Sequence, residues 1–447
     1  MHFSKDDFGK DFKWGVSTAA YQIEGAHDTD GKGASIWDRF SHRKGKISNG
    51  HHGNIACDFY NRYSSDIELI RDMNIPNYRF SISWSRILPN GIGPINEKGI
   101  EFYNNVINRC LESGIEPWVT IYHWDLPEAL EAKGGWTNRE ILNWFSDYVH
   151  CCVKYFGDRV KHWMVLNEPM VFTGAGYFLG VHAPGKLGLS NFLAAAHHAT
   201  LCQAEGGRIL RSYRNDFKIG TTFSYSHIDP YRAHHEKDIQ AAVRVDALLN
   251  RLYIEPLLGL GYPTSDFKIL QKIERYMLAG DEQKLAFQMD FIGLQNYTRE
   301  KVKYTAFVPF AHAKIVKAKK RNVAHTLMNW EVYPPSIYKA LKRLDAYGTI
   351  KEILVTENGA AFEDKLVNDE VNDHERKQYL KDYIAQVLLA KQEGVKVNGY
   401  FVWTLMDNFE WAEGYHPRFG LVYVDFATQQ RIIKNSGKWY RQFLANE

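Results

Sequence analysis

His162-Trp163-Met164-Val165-Leu166-Asn167-Glu168-Pro169 is a short apolar run that ends on an acid and a proline. Upstream of it Ile141, Leu142, Phe145, Tyr148, Val149, Cys152 and Phe156 recur at steps of three and four residues, the spacing of one helix face, with Asn138 placed to cap it. Runs of the same kind, rich in β-branched and aromatic residues, begin near Phe12, Asn77, Glu116, His162, Lys218, Met289, Lys351 and Asn398. Helix-period stretches lie between them. The one that follows Asn372-Asp373 carries Tyr379, Leu380, Tyr383, Ile384, Val387 and Leu388 on one face. Strands alternating with helices predict a parallel sheet, and eight such units predict an α/β fold of the closed (β/α)8, or TIM-barrel, type.

A barrel with elaborated βα loops can use all 447 residues in one domain, and no low-complexity linker or composition break divides residues 1–447. Lys and Arg number 55 against 52 Asp and Glu, a net charge of +3, too balanced to point to nucleic acid or a membrane surface as partner. Aromatic residues make up 14% of the chain, which packing explains in part; sugars also stack on aromatic rings, so the excess favours a carbohydrate ligand. Cys57, Cys110, Cys151, Cys152 and Cys202 are odd in number and lack a C-x-x-C spacing, which predicts buried thiols in a reducing compartment. The N-terminus has no apolar signal core and no run of about 18 apolar residues occurs, so a cytoplasmic protein is expected. His197-His198 and His234-His235 form no consistent metal-ligand frame, and neither metal nor cofactor is expected. The basic run Lys314 to Arg321 falls between the sixth and seventh strands and is expected to be a solvated loop face. Oligomeric state is left open.

Ile353-Leu354-Val355-Thr356-Glu357-Asn358-Gly359 repeats the pattern of the first run: an apolar strand, then an acid beside an asparagine. Barrel active sites lie at the carboxyl ends of the strands, where Glu168 and Glu357 both fall. Two acids on rigid strand ends, far apart in the chain and converging in space, are what a paired-carboxylate site requires. Capping or ion-paired acids at strand ends are the plain alternative.

The chain resembles glycoside hydrolase family 1, the β-glucosidase family, over nearly its whole length. Phe12-Lys13-Trp14-Gly15-Val16-Ser17-Thr18-Ala19-Ala20-Tyr21-Gln22-Ile23-Glu24-Gly25 is similar to that family's first signature, and the segment around Glu357 resembles its active-site signature. His123-Trp124-Asp125-Leu126-Pro127 and Trp403-Thr404-Leu405-Met406-Asp407-Asn408-Phe409-Glu410-Trp411 complete the pattern in order.

The resemblance implies that Glu357 is the nucleophile and Glu168 the general acid/base of a retaining mechanism, with the two carboxyl groups about 5–5.5 Å apart. It further implies Arg79 and Tyr297 beside the nucleophile, keeping Glu357 ionised while Glu168 is protonated. Gln22, His123, Trp124, Asn167, Glu410 and Trp411 match positions around the non-reducing sugar, Trp403 the platform beneath it, and Trp330 the flank of the leaving-group subsite. A carboxylate at Glu410 suits the hydroxyls of an unmodified hexose and repels a 6-phosphate. A glutamate at 168, where thioglucosidase relatives carry glutamine, favours an O-glycosidase. Gln295 departs from the family's usual asparagine and reaches one methylene farther, toward a partner near the nucleophile.

The expected activity is therefore exo-acting hydrolysis of a terminal β-D-glucosyl residue from a disaccharide, short oligosaccharide or aryl β-glucoside. β-Galactosidase or β-fucosidase activity and transglycosylation are the neighbouring alternatives. A non-catalytic sugar-binding barrel would be expected to lack one of the two glutamates.

Overall fold

The computed structural model describes residues 3–446. Eight strands close into a barrel: β1 (Lys13–Ser17), β2 (Asn77–Ser81), β3 (Glu116–Tyr122), β4 (His162–Asn167), β5 (Lys218–Ser224), β6 (Phe291–Gln295), β7 (Ile353–Asn358) and β8 (Val397–Trp403). Each pairs in parallel with its neighbours in chain order, and β1 closes on β8 through Lys13 opposite Gly399. Each strand is followed by a long helix: α1 (Phe59–Asp72), α2 (Glu97–Glu112), α3 (Ile141–Phe156), α4 (Leu189–Tyr213), α5 (Glu236–Asp246), α6 (Pro335–Asp345), α7 (His374–Gln392) and α8 (Asn435–Ala445). A parallel strand covered on both faces has no solvent side, which is why these runs read as continuous apolar stretches. Residues of β2 and β7 are buried throughout.

The barrel lumen is a packed layer of Trp118, Met164, Phe291, Leu354 and Phe401. Two of these rings need room that only glycine leaves. A Cβ on Gly15 would run into Phe401, and one on Gly220 into Phe291. That layer is the floor on which the carboxyl-terminal ends of the strands stand.

The expected strand starts agree with the structure to within two residues, the sixth and seventh beginning at Phe291 and Ile353 rather than Met289 and Lys351. Asn138 does not cap α3. Its side chain accepts the Glu140 N–H at 2.9 Å, closing a turn two residues long, and the helix begins later at Ile141. The basic run is not a bare loop either. It enters a short strand, Ala313–Ile315, and a helical turn, Ala318–Arg321, and Arg321 donates to Glu331 at 2.7 Å. Lys314, Lys317, Lys319 and Lys320 do face solvent.

All five cysteines are unpaired and buried. His197 bonds Asp281 and Tyr262, both at 2.9 Å, and His198 bonds the Trp136 carbonyl at 2.9 Å. Among the described residues no helix is long and apolar enough to cross a membrane.

Candidate active site

A cavity of about 260 Å³ opens at the carboxyl-terminal end of the barrel, above the lumen layer. Glu168 and Glu357 both line it, so the fold brings together the two acids that lie half a barrel apart in sequence. His123, Trp124, Gln295, Tyr297, Trp330, Trp403, Glu410 and Trp411 line it too. Gln22, Arg79 and Asn167 are fully buried and stand behind this wall, bonded to residues that form it.

Glu357 is the penultimate residue of β7 and is gripped on both oxygens. Arg79, on β2, donates through Nη1 to Oε1, and the Tyr297 hydroxyl donates to Oε2 at 2.6 Å. Arg79 is itself locked: Nη2 donates to Asn167 Oδ1 at 2.5 Å and Nε to Thr120 at 3.1 Å and Met164 at 3.0 Å. Burial pushes the Glu357 carboxyl up, while Arg79 and the Tyr297 hydroxyl pull it back toward the ionised form.

Glu168 is held differently. It follows the last residue of β4 and takes a left-handed conformation, φ 44°, as the cap of the short helix Pro169–Thr173. Such a backbone is costly for a residue with a side chain, and Trp124 (φ 80°) and Trp411 (φ 47°) share it in the same cavity wall. The carboxyl of Glu168 is pushed well above its ordinary range, by burial first and by the neighbouring Glu357 second; Arg79 and Ser224 oppose this only in part. Two glutamates in one cavity are therefore separated in proton affinity, Glu168 retaining its proton while Glu357 is paired with a guanidinium.

Asn167 is the hub between them. Its Oδ1 accepts from Arg79, from Thr222 at 2.9 Å and from Gln295 at 2.8 Å, and its amide nitrogen bonds His123 Nε2 at 3.0 Å. Gln295 thus braces Asn167 and Thr222, where sequence suggested a partner near Glu357; the extra methylene carries its amide across to β4. Its Oε1, the Oε1 of Gln22 and the Nδ1 of His123 are buried polar atoms without a protein partner, the pattern of a site that waits for hydroxyl groups. The indole N–H of Trp124 is already committed to the Asn167 carbonyl at 2.8 Å, so this ring serves as wall and brace.

Glu410 lines the cavity. Burial first and the nearby Glu357 second push its carboxyl up to about 8, with the Gln22 amide pulling the other way. Its loop is pinned from below. Gln22 bonds Asn408 at 3.0 Å and the Phe409 carbonyl at 2.8 Å, and Asp407 is buried among Arg418 at 2.7 Å, Lys434 at 2.5 Å and the Gly420 N–H at 2.9 Å.

Sequence reasoning missed Ser224, Ser226, Val171, His182, Thr298, Glu300, Met328, Glu413 and Phe419 in the cavity wall. Ser224 ends β5, so the rule that barrel sites collect at strand ends would have found it; most of the others sit in long loops with no periodic signal.

The model of the family described as Glycosyl hydrolase family 1 matches residues 4–447. The chain is 45% identical over 441 residues to Beta-glucosidase A of Thermotoga maritima, covering 98% of each. It is 44% identical, again over 98% of each, to a 1,4-beta-D-glucan glucohydrolase of Thermotoga neapolitana. Among solved structures, a beta-glucosidase from Thermotoga maritima in complex with glucoimidazole superposes with a TM-score of 0.93 at 45% identity and 98% coverage of both chains. The fold and site define a barrel glycoside hydrolase. The chain belongs to glycosyl hydrolase family 1.

Proposed function

We propose that this enzyme is a retaining exo-β-glycosidase, a β-glucosidase that releases terminal non-reducing β-D-glucosyl residues from disaccharides, short oligosaccharides and aryl or alkyl β-glucosides. Glu357 acts as nucleophile and attacks the anomeric carbon, while Glu168 gives its proton to the departing glycosidic oxygen. The products of this half are an alcohol and a glucosyl ester on Glu357. Forming the ester removes the charge of Glu357, so the repulsion that raised Glu168 falls, and its carboxylate then takes a proton from the attacking water. Water replaces Glu357 at the anomeric carbon and glucose leaves with its original configuration.

The observation that carries this reading is the unequal environment of the two acids: one bound on both oxygens by Arg79 and Tyr297, the other dry and short of donors. Arg79 and Tyr297 orient the nucleophile, and Asn167 fixes Arg79 relative to His123. Gln22, His123, Glu410 and Trp411 hold the sugar hydroxyls over Trp403, with Trp124 and Gln295 as braces and Trp330 beside the leaving group. The chain works as one catalytic unit, 1–447, and cellobiose-like products of cellulose breakdown suit it. Five buried unpaired thiols support a reducing, cytoplasmic setting.

Release of p-nitrophenol from a panel of p-nitrophenyl glycosides tests the reading. The β-glucoside is expected to be cleaved, the Glu357→Ala variant to be inactive, and azide to restore turnover of that variant as the α-glucosyl azide. A wild type that cleaves no β-glycoside would refute it.

A further inference from the structure

The cavity wall contains five glutamates, Glu168, Glu300, Glu357, Glu410 and Glu413, and neither lysine nor arginine. Its two histidines supply no positive charge at neutral pH: burial and Arg79 hold His123 well below its ordinary value, and burial alone takes His182 down to about 4. Three of the acids belong to the chemistry and sugar binding described above. Glu300 does not.

Glu300 lies on the strand Arg299–Tyr304, opposite Ile228 in a small sheet beside the mouth of the barrel. The cations nearest to it in the wall's surroundings, Lys317 excepted, are engaged elsewhere. Arg299 grips both oxygens of Glu331 at 2.8 Å and reaches Asp229 at 3.2 Å; Arg321 bonds Glu331 at 2.7 Å; Lys301 faces Asp229 at 3.8 Å. Glu300 itself makes no side-chain hydrogen bond or ion pair among the described residues, although it is half-buried. Burial pushes its carboxyl up while Lys317, which is exposed and outside the wall, and Arg321 favour the charged form. Because Arg299 clasps the residue that follows Trp330, Glu300 shares its wall with the ring expected to flank the leaving group.

We propose that Glu300 is a specificity-determining residue of the leaving-group side, an unpaired carboxylate that sorts aglycones by charge, admitting hydroxyl-rich and cationic ones and disfavouring anionic ones. This rests on the hydrolase reading above. An acid desolvated by the incoming leaving group gains from a cation or a donor hydroxyl and is repelled by a second carboxylate, and specificity built this way is mostly rejection. Glu413 adds to the same field from an exposed position and is the weaker contributor.

The test is a ratio measured within each enzyme: kcat/KM for p-(aminomethyl)phenyl β-glucoside over that for p-carboxyphenyl β-glucoside. A within-variant ratio does not depend on the fraction of folded enzyme. The ratio is expected to fall on the order of tenfold in Glu300→Gln and further in Glu300→Lys, and less in Glu413→Gln. An unchanged ratio in both Glu300 variants, with the glucosides still hydrolysed, would overturn the role of Glu300 alone. A wild type that hydrolyses neither of these compounds nor p-nitrophenyl β-glucoside would overturn the hydrolase reading beneath it.

Discussion

The ends of β4 and β7 present the same side chain to the same cavity and treat it in opposite ways. Glu357 stays within its strand, at a shift in the pairing register, and spends both oxygens on Arg79 and Tyr297. Glu168 is turned out of its strand in a left-handed backbone, with the backbone N–H fixed to the Thr222 carbonyl at 2.9 Å. Position in the barrel makes the residues equivalent; their neighbours differ, and on the proposed mechanism one serves as carboxylate and the other as acid. Chemistry that needs two carboxyl groups in two protonation states is thus obtained from partners, without a change of residue type.

Replacement of each end is expected to break the comparison in its own way. Glu357→Gln keeps shape and removes the nucleophile, so turnover should fall on the order of 10⁶-fold for every β-glucoside, measured under steady-state conditions. Glu168→Gln should cost about 10²–10⁴-fold with cellobiose, whose leaving alcohol needs a proton, and much less in the first half-reaction with dinitrophenyl glucoside. A pre-steady-state burst of dinitrophenol would report this difference; equal losses for both substrates would remove Glu168 from the acid role. Tyr297→Phe takes one donor from the charged form of Glu357. Losing a donor to a carboxylate raises its pKa, so the acidic limb of kcat/KM should move to higher pH, with a loss of about 10- to 100-fold at the optimum. The alkaline limb, set by Glu168, should stay in place. Gln295→Asn is the smallest change: it gives up one of two bonds to Asn167 and Thr222 and should lower kcat/KM by no more than about tenfold, with both limbs unmoved.

Much of this site was legible before the structure because barrel function sits at strand ends and strand ends are marked by apolar runs. Glu168 and Glu357 both fall within one residue of such an end; Arg79 and Tyr297 were singled out by the resemblance to the family. Legibility failed where a role depends on what arrives from elsewhere in space. Gln295 reads as a neighbour of the nucleophile, yet its amide is drawn to Asn167 and Thr222. Asn138 has the composition of a cap and instead closes a turn, because the chain makes one more bend before α3 begins. Glu300 carries no local pattern at all; its place in the wall follows from how the side sheet packs against the mouth.

The cage beneath the last βα loop has a consequence for how this enzyme could change over generations. Asp407 is buried with Lys434 and Arg418, Lys434 also bonds Asp364, and Arg376 ties Asp364 to Asp373. Asp407, at the start of the loop that carries Glu410, is therefore fastened by charged groups that do not line the cavity. On the proposed sugar-binding role of Glu410, selection can exchange that side chain and try a new glycone without rebuilding the support, so the cage makes specificity evolvable by keeping the anchor beneath it fixed.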